Sequence, residues 1–269
     1  MPKIKEIVLG GHVLMKIFFK IIIIVFVIMQ TIELKAFAYD KIQNLEDMED
    51  NIYKHLENRD INFTFLYTGA RKEFEDNILT RMKGAYSKDD YLERSWLKIQ
   101  PKAKVTDDGI ETTLDVTYLT TKEEEEYIDT ELESATKSLI KPNMTELEKV
   151  RNINNYILNR YEYDYTLKSI SVYSALTTSV AVCQAYSMTA NKMLNFAKIE
   201  NRIVVGKIKD IPHSWNIVKI NDNWYQLDTT NNDSIKKDKY FLVDDNTLIT
   251  DGYEWEQDKY PKTQNLNYK

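Results

Sequence analysis

The chain has 269 residues, which is enough for one large domain or two small ones. It contains only seven glycines and no G-x-G-x-x-G or Walker pattern, which argues against a nucleotide-binding fold. The formal net charge is −6, and residues 1–38 hold five lysines against two glutamates, so the rest of the chain is more acidic still and a nucleic-acid partner is not expected.

Residues 15–38 have the order of a secretory signal peptide. Lysines come first, an apolar run follows over residues 21–29, and Ala36-Phe37-Ala38 supplies an A-x-A cleavage site. The apolar run is shorter than the ~20 residues that a membrane-spanning helix requires. We predict cleavage after Ala38 and a protein that is secreted or lies on the outer face of the cell, with an uncleaved membrane anchor as the alternative. The residues before Met15 fit this segment badly, which favours Met15 as the translation start.

Residues 39–141 are predicted to form an α/β accessory domain. Helical spacing and strand alternation follow one another along this part of the chain. The predicted elements are a helix over 40–59, a strand over 61–68, a helix over 71–82, strands around 91–105 and 110–119, and a helix from about 121 that Pro142 ends. We find no recognisable chemistry in this domain, which could serve contact with a substrate or the cell wall.

The chain offers little that could bind a metal ion. One cysteine and three histidines, His12, His55 and His213, give no paired-ligand spacing for zinc. The acidic run at residues 123–126 lacks the glycine-punctuated loop of a calcium site and is better explained as a solvated helix face. His55 lies among charged residues, where a solvent-facing side chain is the simpler interpretation. We therefore predict no metal ion and no cofactor.

Residues 142–269 open on a helix followed by an aromatic cluster. Thr145 and Glu148 form the S/T-x-x-E pattern of a capping box, and apolar residues continue it at helical spacing. The cluster at residues 161–165 reads YEYDY. Its tyrosines would either wall a cleft or pack in the core or at its rim, and the pattern favours neither.

Cys183 is the only cysteine of the chain, so no intramolecular disulfide can form. It precedes a helically spaced apolar stripe, which places its sulfur at or near a helix N-terminus. There the helix dipole and the free backbone N–H groups would favour the reactive thiolate and could stabilise an oxyanion. A cysteine without a partner is, however, more often a small buried core residue.

His213 and Asp228 would complete a nucleophilic site. His213 opens a predicted strand over residues 213–220, and Asp228 lies in a predicted return strand over residues 224–229. Strand parity lets both side chains point the same way, as a base and its orienting carboxylate require. After removal of the signal segment only His55 and His213 remain as candidate bases, so a Cys–His pair has one credible histidine.

The predicted register leaves one difficulty. Asn221-Asp222-Asn223 is predicted to form a tight turn, and a two-residue turn at Asp222-Asn223 would put Ile217, and not His213, opposite Asp228. Twist, a bulge or a longer loop must therefore close the offset between the imidazole and the carboxylate.

Three segments in order resemble the motifs of the bacterial transglutaminase-like superfamily. They are AVCQAYS at residues 181–187, HSWNIV at 213–218 and WYQLDTT at 224–230, where the usual forms run close to GVCQGYA, HAWNIV and WYHVDVT. The resemblance covers roughly residues 145–245. It implies a papain-like α+β core with Cys183 as nucleophile, His213 as base and Asp228 as the group that orients the base.

The same motifs hold further candidates and two departures. Residues that would contact substrate or an oxyanion are Gln184, Tyr186, Trp215 and Trp224, of which the two tryptophans could equally be core residues. Ala181 and Ala185 stand where the family commonly has glycine. The backbone around the nucleophile is then less permissive, which could tighten the pocket or mark a weakened enzyme.

We therefore expect an α+β protein with a transglutaminase-like core over residues 142–269, in which the Cys183 helix packs on an antiparallel sheet bearing His213 and Asp228. The resemblance implies a secreted cysteine-dependent acyl-transfer enzyme that acts on peptide or amide bonds through a thioester, with a protease or amidase favoured. Its partner would be a protein or peptide, including cell-wall peptide. A membrane would be a partner only if the N-terminal segment stays uncleaved.

Other functions stay open at this point. The acyl group could pass to a lysine amine, which would make the protein a cross-linking transglutaminase. The fold could also persist in a catalytically inactive binding module at the cell surface. Finally, the protein could be an exported structural protein in which residues 39–141 carry the function.

Overall fold

A computed structural model describes residues 40–264 of the chain. The predicted signal segment at residues 1–38, with its Met15 start, lies outside the described residues. The described chain divides into two compact units, residues 40–122 and residues 123–264. Within the described range, no helix combines the length and the apolar character needed to cross a membrane.

The first unit is a four-stranded sheet with three helices. Its elements are β1 (Asp40–Ile42), α1 (Leu45–Glu57), β2 (Asn62–Tyr67), α2 (Arg71–Tyr86), α3 (Asp90–Arg94), β3 (Trp96–Thr106) and β4 (Gly109–Tyr118). The strand order is β1-β2-β4-β3, with β1 parallel to β2 and the other pairs antiparallel. The apolar sides of α1 and α2 share one buried core with the sheet.

Two elements of this unit differ from the prediction. Residues 40–42 form β1, where a helix over 40–59 was predicted, and the helix begins only at Leu45, which Asn44 caps. Residues 90–94 form α3 instead of the start of a strand, because Asp89 accepts a hydrogen bond from the Leu92 N–H at 2.6 Å and so caps a helical turn. Ser95 closes the turn by donating to the Leu92 carbonyl at 2.9 Å. The strand therefore begins only at Trp96.

The second unit contains the three motifs. Its elements are α4 (Lys122–Leu139), α5 (Glu146–Arg160), β5 (Glu162–Tyr163), α6 (Val172–Thr178), β6 (Val180–Ala181), α7 (Cys183–Phe196), β7 (Asn201–Ile208), β8 (Ile211–Ile220), β9 (Asn223–Leu227), α8 (Thr229–Ile235), β10 (Phe241–Val243), α9 (Asp245–Thr250), β11 (Tyr253–Trp255) and a short 3₁₀ helix (Gln257–Lys259). The main sheet has the order β10-β9-β8-β7-β11 and is antiparallel throughout. β5 and β6 form a separate parallel pair.

Alternate residues of β8 face opposite sides of the main sheet. On one side, Ser214 Oγ lies 3.0 Å from Ser187 Oγ of α7, and Asn216 Nδ2 donates to the Ser187 carbonyl at 3.0 Å. On the other side, Trp215 and Ile217 enter an apolar core with residues of β7, β10, α9 and β11. The predicted α+β core, a Cys-bearing helix packed on an antiparallel sheet, is confirmed.

A close approach at Gly206 allows β11 to join the edge of this sheet. Gly206 of β7 pairs with Trp255 of β11. A Cβ atom at residue 206 would overlap the Glu254 carbonyl oxygen and would lie 2.9 Å from the Trp215 ring. A residue without a side chain is therefore required for the strand to dock at this distance.

The hairpin between β8 and β9 turns at Asn221 and Asp222, whose φ angles are 49° and 63°. Ile220 pairs with Asn223 across the turn. Positive φ at both central residues is the pattern of a type I′ turn, which Asn and Asp tolerate better than most residues. The turn therefore lies within the predicted stretch Asn221–Asn223, and its two central residues come one position before the Asp222-Asn223 pair.

The boundary between the two units lies between residues 122 and 123, whereas we predicted it between 141 and 142. α4 packs within the second unit. Lys192 of α7 lies 3.4 Å from Glu125 Oε2 and also pairs with Asp129, while the Tyr127 and Tyr173 rings meet edge-on at 5.7 Å. The break at Pro142 ends the helix but does not separate it from the helices that follow.

The predicted capping box of α5 is present and gives a test of local stability. The Thr145 N–H donates to Glu148 Oε2 at 2.7 Å, and the Glu148 N–H donates to Thr145 Oγ1 at 3.2 Å. We expect Thr145→Ala to lower the free energy of unfolding by about 1 kcal/mol, measured by urea denaturation. Thr130→Ala, inside α4, is the control, because alanine is the better helix former there. An equal loss in both variants would contradict the capping role.

Candidate active site

Cys183 is the first residue of α7. The extended residue Val182 precedes it (φ −98°, ψ 172°) and makes no side-chain cap, so the first backbone N–H groups of α7 have no acceptor within the helix. The Cys183 side chain is only 8% exposed. The sulfur therefore lies at the positive end of a helix dipole, in the position that the sequence predicted.

The imidazole of His213 lies between Cys183 and Asp228. His213 Nε2 is 2.7 Å from Asp228 Oδ2, and His213 is also hydrogen-bonded to Cys183. Because Nε2 contacts the carboxylate, Nδ1 is the ring nitrogen left to hydrogen-bond with the Cys183 sulfur. Asp228 is fully buried and His213 is 8% exposed. The structure thus brings the three predicted catalytic side chains together in the order thiol, imidazole, carboxylate.

The prediction that Asp228 lies within a strand is wrong. β9 ends at Leu227, and Asp228 is the N-cap of α8, where its side chain accepts from the Asn231 N–H at 2.9 Å. Since Asn216 pairs with Leu227, continuing the register would put Trp215 opposite Asp228, only two residues from His213. The chain leaves the sheet at Asp228 to start α8, which closes the remaining offset.

The electrostatics favour an ion pair of thiolate and imidazolium. Burial lowers the pKa of His213, but the charge and hydrogen bond of Asp228, followed by the contact with Cys183, outweigh it and raise this pKa well above 6.5. Burial alone would raise the pKa of the Cys183 thiol, yet hydrogen bonds from His213 and then Ser214 lower it below its ordinary value. Both shifts favour the thiolate, which is the nucleophilic form of the sulfur, over the neutral thiol.

Ser214 is a site residue that sequence reasoning missed. Its backbone N–H and its hydroxyl both hydrogen-bond to Cys183. The hydroxyl also lies 3.0 Å from Ser187 Oγ, one helical turn beyond Cys183. The sequence could have indicated Ser214, because the usual form of this motif has alanine, and not serine, after the histidine.

Tyr253 and Asn231 were also missed. Asp228 Oδ2 accepts from the Tyr253 hydroxyl at 2.6 Å and from Asn231 Nδ2 at 2.9 Å, in addition to His213. Burial raises the pKa of Asp228, but the charge and hydrogen bond of His213 and the bonds from Tyr253 and Asn231 lower it overall, so the carboxylate stays ionised. An Asn three residues after a capping Asp could have indicated Asn231, whereas no local pattern marks Tyr253.

Two of the predicted substrate or oxyanion candidates lie on α7. Gln184 is half-buried, and its Nε2 donates to the Ile170 carbonyl at 3.3 Å, so it faces the loop before α6. Tyr186 is fully buried, and its hydroxyl donates to Asp233 Oδ2 at 2.9 Å. Tyr186 therefore ties α7 to α8 and is a core residue, which corrects its assignment as a substrate contact.

The two tryptophan candidates are also packing residues. Trp215 is 1% exposed, and its Nε1 donates to Gln226 Oε1 at 2.7 Å. Trp224 packs against the same apolar core on the sheet face opposite α7. With Trp215 in the core and half-buried Trp224 packed against it, the first N–H groups of α7 remain as the candidate oxyanion donors.

The tyrosines of the YEYDY cluster take three different positions. Tyr161 is buried, with its hydroxyl 3.3 Å from Thr189 Oγ1. Burial and then the charge of Cys183 raise the pKa of half-buried Tyr163 to about 12, so Tyr163 stays neutral beside the sulfur. Tyr165 is 83% exposed and meets the Tyr163 ring at 5.1 Å. Of these three tyrosines, Tyr163 is the one that lies beside Cys183.

Asp164 fixes the loop in front of α7. Its carboxylate accepts from the backbone N–H groups of Thr166, Lys168 and Ser169 at 2.8, 3.0 and 2.9 Å. Burial opposes ionisation, but these bonds and the Thr166 hydroxyl hold the pKa of Asp164 far below its usual range. The Ser169 carbonyl in turn accepts from the Val182 N–H at 3.1 Å, which anchors the residue before the nucleophile.

Ala181 and Ala185 do not strain the backbone beside the nucleophile. Both are fully buried, and neither is among the described residues with positive φ. Glycine's conformational freedom is therefore not needed at either position. Among residues 40–264, no group of three or more His, Cys, Asp or Glu side chains is arranged to hold a metal ion.

One family model matches a part of the chain that includes the candidate site. Residues 133–229, which include Cys183, His213 and Asp228, match the model of the transglutaminase-like superfamily, so the predicted resemblance is confirmed. No curated protein matches the chain.

Solved structures with similarity to the chain include a TGase, at 14% identity and a TM-score of 0.34 over 71% of this chain and 59% of that one. A protein from Cytophaga hutchinsonii, proposed to be a cysteine protease, matches at 15% identity and a TM-score of 0.36 over 58% of this chain and 65% of that one. A protein from Parabacteroides distasonis, proposed to be a protease, matches at 13% identity and a TM-score of 0.32 over 48% and 35%. The chain therefore spans less than two thirds of each of these structures.

Proposed function

We propose that the unit holding the transglutaminase-like domain is a cysteine-dependent acyl-transfer enzyme that acts on peptide or amide bonds. The observation that carries the proposal is the hydrogen-bonded series from Cys183 through His213 to buried Asp228, with the sulfur at a helix N-terminus. This combination supplies a nucleophile, a proton donor and an oxyanion site within one small region.

In the acylation step, the Cys183 thiolate attacks the carbonyl carbon of the substrate amide. The carbonyl oxygen becomes an oxyanion that the first N–H groups of α7 would stabilise. As the C–N bond breaks, His213 passes its Nδ1 proton to the leaving amine and becomes neutral. Asp228 remains ionised and keeps the ring oriented through Nε2. The products are a thioester on Cys183 and a free amine.

In the second step, neutral His213 removes a proton from the acceptor as it attacks the thioester carbon, and the thiolate leaves. Water as acceptor gives a carboxylic acid, as in a protease or amidase, and a lysine amine gives a cross-link. We favour hydrolysis. Incubation with a peptide mixture and a fluorescent primary amine separates the two: released acid supports hydrolysis, and amine incorporation supports a transglutaminase.

Export and the role of the first unit belong to the same proposal. A signal segment at residues 1–38 with cleavage after Ala38 would deliver the enzyme to the cell surface or beyond, where protein or cell-wall peptide is the available substrate. The first unit would then contribute substrate or wall contact. Mass spectrometry of the exported protein tests cleavage after Ala38.

Alkylation by iodoacetamide distinguishes the enzyme from an inactive binding module with the same fold. We expect Cys183 to react readily at pH 6, because its lowered pKa and the raised pKa of His213 keep the ion pair formed at that pH. In His213→Ala the thiol should return towards an ordinary pKa of about 8.5, so its reaction rate at pH 6 should fall by about 10²-fold.

His55→Ala is the matched control for this measurement, because it removes the other histidine of the described residues and should leave the rate unchanged. The extent of labelling is read by intact-mass spectrometry across pH 5–9. A native thiol that is inert at pH 6 but reacts at once in denaturant would support the binding module and contradict the enzyme.

A further inference from the structure

The catalytic carboxylate oxygen Asp228 Oδ2 has more than one strong donor. The Tyr253 hydroxyl approaches it at 2.6 Å, closer than His213 Nε2 at 2.7 Å. Asn231 Nδ2 adds a third donor at 2.9 Å. Tyr253 lies on β11, outside the residues that match the transglutaminase-like model. We infer that Tyr253 is a positioning residue that controls how tightly His213 holds its proton, by sharing Asp228 Oδ2 with the imidazole.

The direction of the Tyr253 hydroxyl is set by its neighbours. Asn231 Nδ2 lies 2.5 Å from the Tyr253 oxygen and donates to it, so the hydroxyl hydrogen is left to point at Asp228. Burial and the Asp228 charge raise the pKa of Tyr253 far above its ordinary value. Tyr253 is therefore a neutral donor at every pH at which the protein would be assayed.

The ring of Tyr253 is fixed independently of its hydroxyl. The residue is 2% exposed, and its ring packs against Trp215 at 5.3 Å, Tyr240 at 5.4 Å and His213 at 6.0 Å. Its backbone pairs with Ile208 of β7. A phenylalanine at this position would keep these contacts, so the effect of the hydroxyl can be measured in a folded protein.

Three donors share Asp228 Oδ2. Each hydrogen bond to this oxygen reduces the strength with which the oxygen accepts the other two. A donor that already draws on the charge of Oδ2 leaves that oxygen less basic towards the imidazolium. Without the Tyr253 hydroxyl, Asp228 would hold the His213 proton more tightly. An imidazolium that is too weak an acid transfers its proton slowly to a leaving amine. Tyr253 would thus keep His213 acidic enough to act.

The test is Tyr253→Phe, with Tyr67→Phe as the matched control. Tyr67 is another fully buried tyrosine whose hydroxyl donates to a carboxylate, Glu73 Oε2 at 3.0 Å, in the first unit. We expect the alkaline limb of the kcat–pH profile to move to higher pH in Tyr253→Phe. At neutral pH we expect kcat to fall by about tenfold with KM nearly unchanged. Tyr67→Phe should change neither quantity.

The kinetic readout rests on the proposed acyl-transfer function, so a second measurement avoids it. NMR titration of the imidazole carbon signals follows His213 directly, with His55 as the internal reference, and we expect the His213 midpoint to rise in Tyr253→Phe. A midpoint that stays or falls overturns the inference, whether or not turnover is found. Wild-type protein without turnover would defeat the proposed function, and the titration would still decide the role of Tyr253.

Discussion

Cys183→Ala is expected to abolish turnover of peptide amides, with a loss of about 10⁴-fold or more in kcat/KM. In the proposed mechanism the Cys183 thiolate forms the thioester, and no other thiol exists in the 269 residues to replace it. Water in the vacated position lacks both the fixed geometry and the nucleophilicity of the sulfur. The measurement is release of free amine from a peptide mixture, together with the mass of any covalent acyl-enzyme.

Folding must be shown to survive in the Cys183→Ala variant. Deleting one small buried sulfur leaves the His213–Asp228 contact in place, so we expect the melting temperature to shift by only a few degrees. Met193→Leu is the control on the same helix, because it conserves volume at a buried position away from the reacting atoms. Residual turnover within tenfold of wild type in Cys183→Ala would remove the nucleophile from the mechanism.

Asp228→Asn should lower kcat by about 10³–10⁴-fold while the protein stays folded. Asparagine keeps the N-cap of α8, since both residue types cap helices well. It removes the negative charge, so the pKa of His213 should fall and the imidazolium should be lost at a lower pH. Because the thiolate depends on that cation, iodoacetamide labelling of Cys183 should need a higher pH than in the wild type.

Asp244→Asn is the matched control for this prediction. Asp244 caps α9 by accepting from the Thr247 N–H at 2.8 Å, so the two substitutions make the same chemical change at the same kind of position. We expect Asp244→Asn to retain turnover and its pH dependence. Equal activity in the two variants would show that the Asp228 charge has no part in catalysis.

The three candidate side chains could be picked out from the sequence because each lies in a short local pattern. The apolar stripe after Cys183 marks a helix start, and alternation around His213 marks a strand. The resemblance to three motifs then indicated that Cys183, His213 and Asp228 belong to one site, although they are far apart in the sequence. The misassignment of Asp228 has a local cause as well. The strand alternation that runs up to Leu227 conceals the capping pattern in which Asp228 accepts from Asn231, and the cap decides where the strand ends.

Tyr253 could not have been found in this way. It follows Asp228 by 25 residues and reaches the site only because β11 pairs with β7, a contact that no local spacing encodes. The same holds for the unit boundary, since the Pro142 break is visible in the sequence whereas the packing of α4 through Lys192 is not. Tyr186 was wrongly assigned as a substrate contact because its position in the motif does not reveal that its hydroxyl donates to Asp233.

The docking of β11 beside Gly206 has a consequence for when the candidate site can be completed during synthesis. β11 is the final strand of the described chain, and it pairs with a strand that precedes it by about fifty residues. α7, β8 and β9 leave the ribosome before residue 253 is synthesised, but they belong to the same compact unit as β11, and domains generally fold as units. Until that last strand docks, Asp228 lacks its Tyr253 donor. Folding of this unit, and with it the contact between Asp228 and Tyr253, would therefore wait until β11 has been synthesised.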